Sequence, residues 1–278
     1  MAIVGRKASN AICGPFIAFC KELAGGAAIS STWLLIWAGL AAQAHWVLAV
    51  GAADIEFPHP MVVLAVLAIV TGIPRMPLVP PTRADWALFA LALFACMLPF
   101  RTAASLALGC AAAIAWRGHG PAARSVSVLL LALAGWGMKD GVWVGFVSVP
   151  VMAAEAHVVS FLLNLGGLPS EATGNHIEFP DGQGFIILRA CSLLSLAYPC
   201  AVAVYALFCL VHPNRQPGLL RIALALAILA VLNNVRLVSM AASPAIYDYL
   251  HGETGDLPLQ LAWSGIVMIA ALPQRRAA

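Results

Sequence analysis

Charge is scarce in this chain. Asp, Glu, Lys and Arg make up 10% of the 278 residues, against 62% hydrophobic residues and a mean hydropathy of +0.91. Soluble domains carry about 25% charged residues, so a single water-soluble globule is excluded. No soluble stretch exceeds roughly 50 residues, which leaves no room for a separate folded water-soluble domain. The 15 basic and 12 acidic residues nearly balance, so nothing recruits nucleic acid. Neither His-Glu-x-x-His nor Cys-x-x-Cys occurs, so no metal site or other cofactor is implied. Alternating ten-residue segments, the mark of a membrane β-barrel, are also missing.

What is present is a series of continuous Ala/Leu/Val runs. They predict an all-α, polytopic transmembrane helical bundle, because backbone groups in lipid must pair within their own segment. About eight crossings are expected, over 28–50, 60–74, 85–100, 102–116, 125–138, 185–210, 220–242 and 257–272. The chain divides on this reading into five amino-terminal spans (1–138), an external loop (139–184) and a three-span region (185–278), all within one integral membrane domain. Several runs fall short of the ~20 residues that cross a bilayer core.

Orientation follows from the basic residues. Arg6, Lys7, Lys21, Arg75, Arg83, Arg117, Arg124, Arg215, Arg221, Arg275 and Arg276 share one side, eleven of the fifteen. The positive-inside rule makes that side cytoplasmic and puts both termini there. The opposite loops hold Asp54, Glu56, Asp140, Glu155, Glu171, Glu178, Asp181, Asp248, Glu253 and Asp256, with only Arg101 and Lys139 against them. The expected location is the inner (cytoplasmic) membrane, multi-pass. The first apolar run includes Ala42-Gln43-Ala44, which resembles a signal-peptide cleavage site, but it continues through Val50 and is read as an uncleaved helix.

The longest external stretch reads in two parts. Val149 to Leu165 is apolar but contains Glu155, His157 and Asn164, and suits a helix lying in the membrane interface,. Gly166-Gly167-Leu168-Pro169 breaks it. His176-Ile177-Glu178-Phe179 followed by Pro180-Asp181-Gly182 then predicts a short extended hairpin,.

Three residues near one membrane face carry the candidate chemistry. Cys191 follows Gly184 by seven residues, about 9–10 Å below the outer mouth of the expected helix. Ser195 and Tyr198 follow at i+4 and i+7, on the same stripe,. The blander alternative is one more buried cysteine, as Cys13, Cys20, Cys96, Cys110, Cys200 and Cys209 are read. Arg236 lies in Asn233-Asn234-Val235-Arg236-Leu237, two turns before Ser243-Pro244 closes the next helix. A charge at that depth costs on the order of 2.5–3.5 kcal/mol, so it is normally paired or functional, unless it snorkels to the headgroups. Asn233 shares its face at i−3. His251 follows in the next external loop, where a surface histidine is the plainer reading. Together the three divide into a thiol nucleophile, a guanidinium that favours thiolate or oxyanion, and an imidazole that moves protons.

The pattern Gly174-Asn175-His176-Ile177, Ala190-Cys191-Ser192, Asn233-x-x-Arg236-Leu237 and then His251 before a final span resembles the exosortase/archaeosortase family. The resemblance covers about residues 140–272. It implies a membrane cysteine transpeptidase or protease with Cys191, Arg236 and His251 as catalytic residues; from their positions, Asn233, Ser192, Ser195 and Tyr198 are read as supporting residues. The implied partners are the lipid bilayer and secreted protein substrates ending in a short motif such as Pro-Glu-Pro, a transmembrane helix and a basic cluster. The implied active site faces the extracytoplasmic side. The family's motif usually continues Cys-Ser-Gly-Leu-Arg, whereas this chain reads Cys191-Ser192-Leu193-Leu194-Ser195. The rival reading is a transporter or scaffold that uses Arg236 as an anion site.

Overall fold

The computed structural model describes residues 30–50, 60–98, 101–138, 144–251 and 257–272. Cys13, Cys20, Arg6, Lys7, Lys21, Asp54, Glu56, Lys139, Asp140, Glu253, Asp256, Arg275 and Arg276 lie outside the described residues. Among the described residues the apolar runs are helical, as expected, apart from the start of the run at 185, and the chain forms two compact units. One comprises Met1–Pro58, Val66–Gly137 and Pro213–Arg215; the other comprises His59–Ala65, Met138–His212 and Gln216–Ala278.

The first unit contains α1 (Ser31–Val50), the later part of α2 (Pro60–Gly72), α3 (Arg83–Cys96), α4 (Arg101–Arg117) and α5 (Pro121–Gly137). Helix α4 is central and packs on α1, α3 and α5. Its buried face is built from Ala103, Ala104, Ala107, Cys110, Ala111, Ala112 and Ala115. In lipid there is little hydrophobic drive between helices, so association rests on close van der Waals approach, which small residues allow. Ser127 on α5 donates to the Ala112 carbonyl at 2.7 Å, a buried bond between the two helices. The start of α3 is locked by Thr82 and Asp85 in a capping box, and Arg117 at the end of α4 meets Asp85 at 2.9 Å.

The second unit contains α6 (Val144–Leu165), a three-stranded antiparallel sheet, α7 (Leu193–Val211), α8 (Leu219–Ala242), α9 (Pro244–His251) and α10 (Leu257–Ala271). The strands are β1 (Glu171–Thr173), β2 (His176–Glu178) and β3 (Gly184–Ile186). Gly174-Asn175 joins β1 to β2, with Gly174 at φ +59°, as the first central residue of a two-residue II′ turn requires,. The Pro-Asp-Gly segment turns β2 into β3: Gly182, at φ +80°, donates to the Phe179 carbonyl, and Asp181 accepts from the Gln183 amide. The extended hairpin expected at His176–Phe179 is therefore present, as a small exception in an otherwise all-α chain.

Three expectations are corrected here. The interfacial segment is a 22-residue helix, and its Phe146–Leu165 portion is long and apolar enough to cross a membrane, as are Leu193–Val211 and Leu219–Ala242. Its Glu155 is buried within the protein, at 6% exposure. The helix expected from residue 185 begins only at Leu193, because Gly184–Ile186 is taken up by strand pairing and Arg189–Cys191 by a 3-10 turn. His251 ends a short helix rather than lying in an open loop, since Pro244 opens α9 at its first position, where the missing N–H is harmless,. Shorter apolar helices account for Pro60–Arg75, Thr102–Arg117, Pro121–Gly137 and Pro258–Ala271.

One close approach tests the packing of the first unit. A Cβ on Gly72 would lie 2.8 Å from Cγ2 of Val126, which is 1% exposed and β-branched, so it has little freedom to move,. Gly72→Ala is expected to destabilise the detergent-solubilised protein by about 1–3 kcal/mol despite its better helix propensity. A melting temperature at or above that of the unaltered protein counts against this packing.

Candidate active site

The site is built where the second unit's sheet meets the start of α7. Ile187 is tied back to the β1–β2 turn by two bonds with Asn175, 2.9 and 3.0 Å. The chain then enters the 3-10 turn Arg189–Cys191, and Ser192 caps α7 by accepting from the Leu194 amide. Cys191 thus precedes the helix. The stripe expected from Cys191 through Ser195 to Tyr198 does not form, because helical spacing begins two residues later.

Cys191 is 7% exposed and lies in an apolar cluster. Helix α6 supplies Ala156, Val159 and Leu163; the sheet and its exit supply Ile177, Phe185 and Ile187; α8 supplies Leu237 and Met240. Leu250 of α9 packs against the same cluster, and Tyr247 meets Phe185 edge to face at 6.2 Å. His251 is the last residue of α9, one turn after Tyr247; its side chain lies outside the described residues.

One polar network runs through this apolar surround, and Glu155 is its centre. The carboxylate accepts from Ser192 Oγ at 2.5 Å, from the Leu193 amide at 2.6 Å and from Asn233 Nδ2 at 3.2 Å. Asn233 Nδ2 also donates to the Cys191 carbonyl at 3.2 Å. Ser192 and Asn233 are both fully buried. Burying a carboxylate is costly unless hydrogen bonds replace its hydration, and three donors do so here. The position also suits an anion, since the first amides of a helix carry partial positive charge. The two acceptors around Nδ2 fix the amide's orientation, and Oδ1 is left without a partner among the described residues.

The network explains where the expected residues come together. Asn233 joins α8 to the Cys191 backbone, and Arg236 follows one helical turn later on the same face, half-buried and engaged in interactions of its own. Ser192 contributes its hydroxyl to Glu155 and its cap to α7. Ser195 instead bonds back to the Ser192 and Ala190 carbonyls, 2.7 and 3.2 Å, and Tyr198 is 37% exposed on α7. Glu155 is the residue that sequence reasoning missed. Its signal was present, as a carboxylate inside an apolar helical run, which is costly unless it serves a purpose.

The backbone amides from Cys191 to Ser195 are all engaged. The amides of Cys191 and Ser192 donate to the Leu188 and Arg189 carbonyls, Leu193 to Glu155, Leu194 to Ser192 Oγ and Ser195 to the Ser192 carbonyl. Five successive N–H groups are engaged.

Asn233→Ala deletes both donated bonds and strands acceptors in a buried place. A loss of about 1–3 kcal/mol in stability is expected, read as a lowered melting temperature in detergent; an unchanged value argues against a structural part for this amide.

No curated protein and no solved structure matches the chain. The family model of the transmembrane exosortases matches residues 52–270, which include α6, the sheet, Cys191, Asn233, Arg236 and His251. With more than half of its length matched, and with the helices and motif residues described above, the chain belongs to the transmembrane exosortase family.

Proposed function

We propose that this exosortase is a cysteine protease/transpeptidase of the inner membrane that cleaves C-terminal sorting signals of secreted proteins at the outer face. The observation that carries the reading is the Asn233 hydrogen bond to the Cys191 carbonyl, which joins the thiol's turn to the helix bearing Arg236. A substrate tail helix docks laterally in the bilayer with its basic end toward the cytoplasm, following the positive-inside rule. That leaves the scissile peptide near the extracytoplasmic rim, beside Cys191.

The chemistry follows from the residue types. His251 takes the thiol proton, and the thiolate attacks the peptide carbonyl carbon. The tetrahedral oxyanion that results draws on the guanidinium of Arg236. The five engaged backbone amides around Cys191 support this assignment, since none is available as an oxyanion donor,. His251 then gives its proton to the leaving amine as the C–N bond breaks, and a thioester forms on Cys191. Water or an acceptor nucleophile attacks that thioester and regenerates the thiol.

Cys191→Ala is expected to abolish processing of a tagged substrate carrying such a tail; persistent processing ends the cysteine mechanism. Arg236→Gln should lower the rate by about 10²–10³-fold, the usual cost of one lost oxyanion donor. Arg236→Lys should fall between the two, because it keeps the charge but loses the planar fork. Equal rates for all three proteins would remove Arg236 from the chemistry.

A further inference from the structure

We infer that Glu155 is a positioning residue: through Ser192, the Leu193 amide and Asn233 it holds the turn that presents Cys191. This rests on the reading of Cys191 as nucleophile, but it is argued from different observations. Helix α7 starts immediately after Cys191, so whatever pins its first residues also sets where the thiol lies. Glu155 pins two of them directly, Ser192 and Leu193. It reaches a third point indirectly, because the Asn233 amide that donates to it also donates to the Cys191 carbonyl. Three segments far apart in sequence, on α6, before α7 and on α8, are thereby fixed to one carboxylate within hydrogen-bond reach.

Two features mark this as positioning rather than simple core filling. An apolar residue at 155 would suit the surrounding Ala156, Val159 and Leu163, yet the chain carries a carboxylate there. And Asn233 is fully buried with its Oδ1 unpartnered among the described residues, which is unfavourable unless the two bonds from Nδ2 are needed,. Glu155 also occupies the positive end of α7.

The test follows Cys191 itself rather than substrate turnover. The full-length protein in detergent is treated with methyl methanethiosulfonate, and modification of Cys191 and of Cys200 is timed by peptide mass spectrometry. Cys200, fully buried on α7, reports on the fold at large. In Glu155→Ala the turn is released, and Cys191 should react about tenfold faster or more, the factor implied for a local opening by one lost hydrogen bond to a charged group. Cys200 should not change. Glu155→Gln keeps the shape and one carbonyl acceptor, and should restore Cys191 to within about threefold of the unaltered protein. Ser192→Ala, which removes a single bond, should lie between them and serves if Glu155→Ala does not accumulate. Equal Cys191 rates in all variants overturn the inference, as does a parallel rise at Cys200, which would mean general loosening. The outcome is separable from the catalytic reading: Cys191→Ala that still processes substrate defeats the nucleophile assignment, while the rates measured here decide the positioning role alone.

Discussion

A helix must find partners for its first amides, and in α7 those partners come from elsewhere in the fold. Ser192 supplies the local cap, but the Leu193 amide and the Ser192 hydroxyl both turn to Glu155, which lies 37 and 38 residues earlier in the chain. Because that carboxylate is buried, its bonds are hard to exchange for water, and geometry at this point is stiff. Asn233 extends the same constraint to α8 and to the Cys191 carbonyl. The sheet, the 3-10 turn and α9 are arranged around a junction that this one carboxylate holds closed.

The two units cohere in different ways. In the first, alanines on α4 let helices approach closely, and a single buried hydroxyl bond joins α4 to α5. That packing is dispersion at short range, the force available between helices in lipid. In the second, larger apolar side chains from α6, the sheet and α8 surround Cys191, and polar contacts are concentrated in the Glu155 network. An enzyme family embedded in a membrane needs such a firm junction beside surfaces that lipid can share. The exposed apolar side chains of α8, among them Leu224, Ile228, Val231 and Val235, provide a surface of that kind.

The departure from the usual family motif has a local structural account. Leu193 opens α7, and its backbone amide, not its side chain, makes the bond to Glu155, so a leucine is accommodated where glycine is usual. Ser195 replaces an arginine and spends its hydroxyl on carbonyls of its own turn. The cation that the motif would carry there is gone, and Arg189, the nearest basic residue in sequence, is exposed in the 3-10 turn.

Hydropathy alone determined that this is a helical membrane protein, and it located α2, α4, α8 and α10 to within about two residues, because burial in lipid is a demand each segment meets by itself. Turn chemistry was equally local at Pro180-Asp181-Gly182, which declared the hairpin, whereas the Gly174-Asn175 turn emerged only in the structure. In the sequence, Cys191 and Arg236 stood out only by matching depth on neighbouring helices; the bond from Asn233 to the Cys191 carbonyl was not legible there. What only the tertiary structure decided is where α7 begins, that Cys191 stands before it, and that Glu155 is a buried hub instead of an interfacial charge. Those facts depend on hydrogen bonds between groups as many as 78 residues apart. No property of either segment alone encodes such a bond; it exists because packing excludes water around both partners at once.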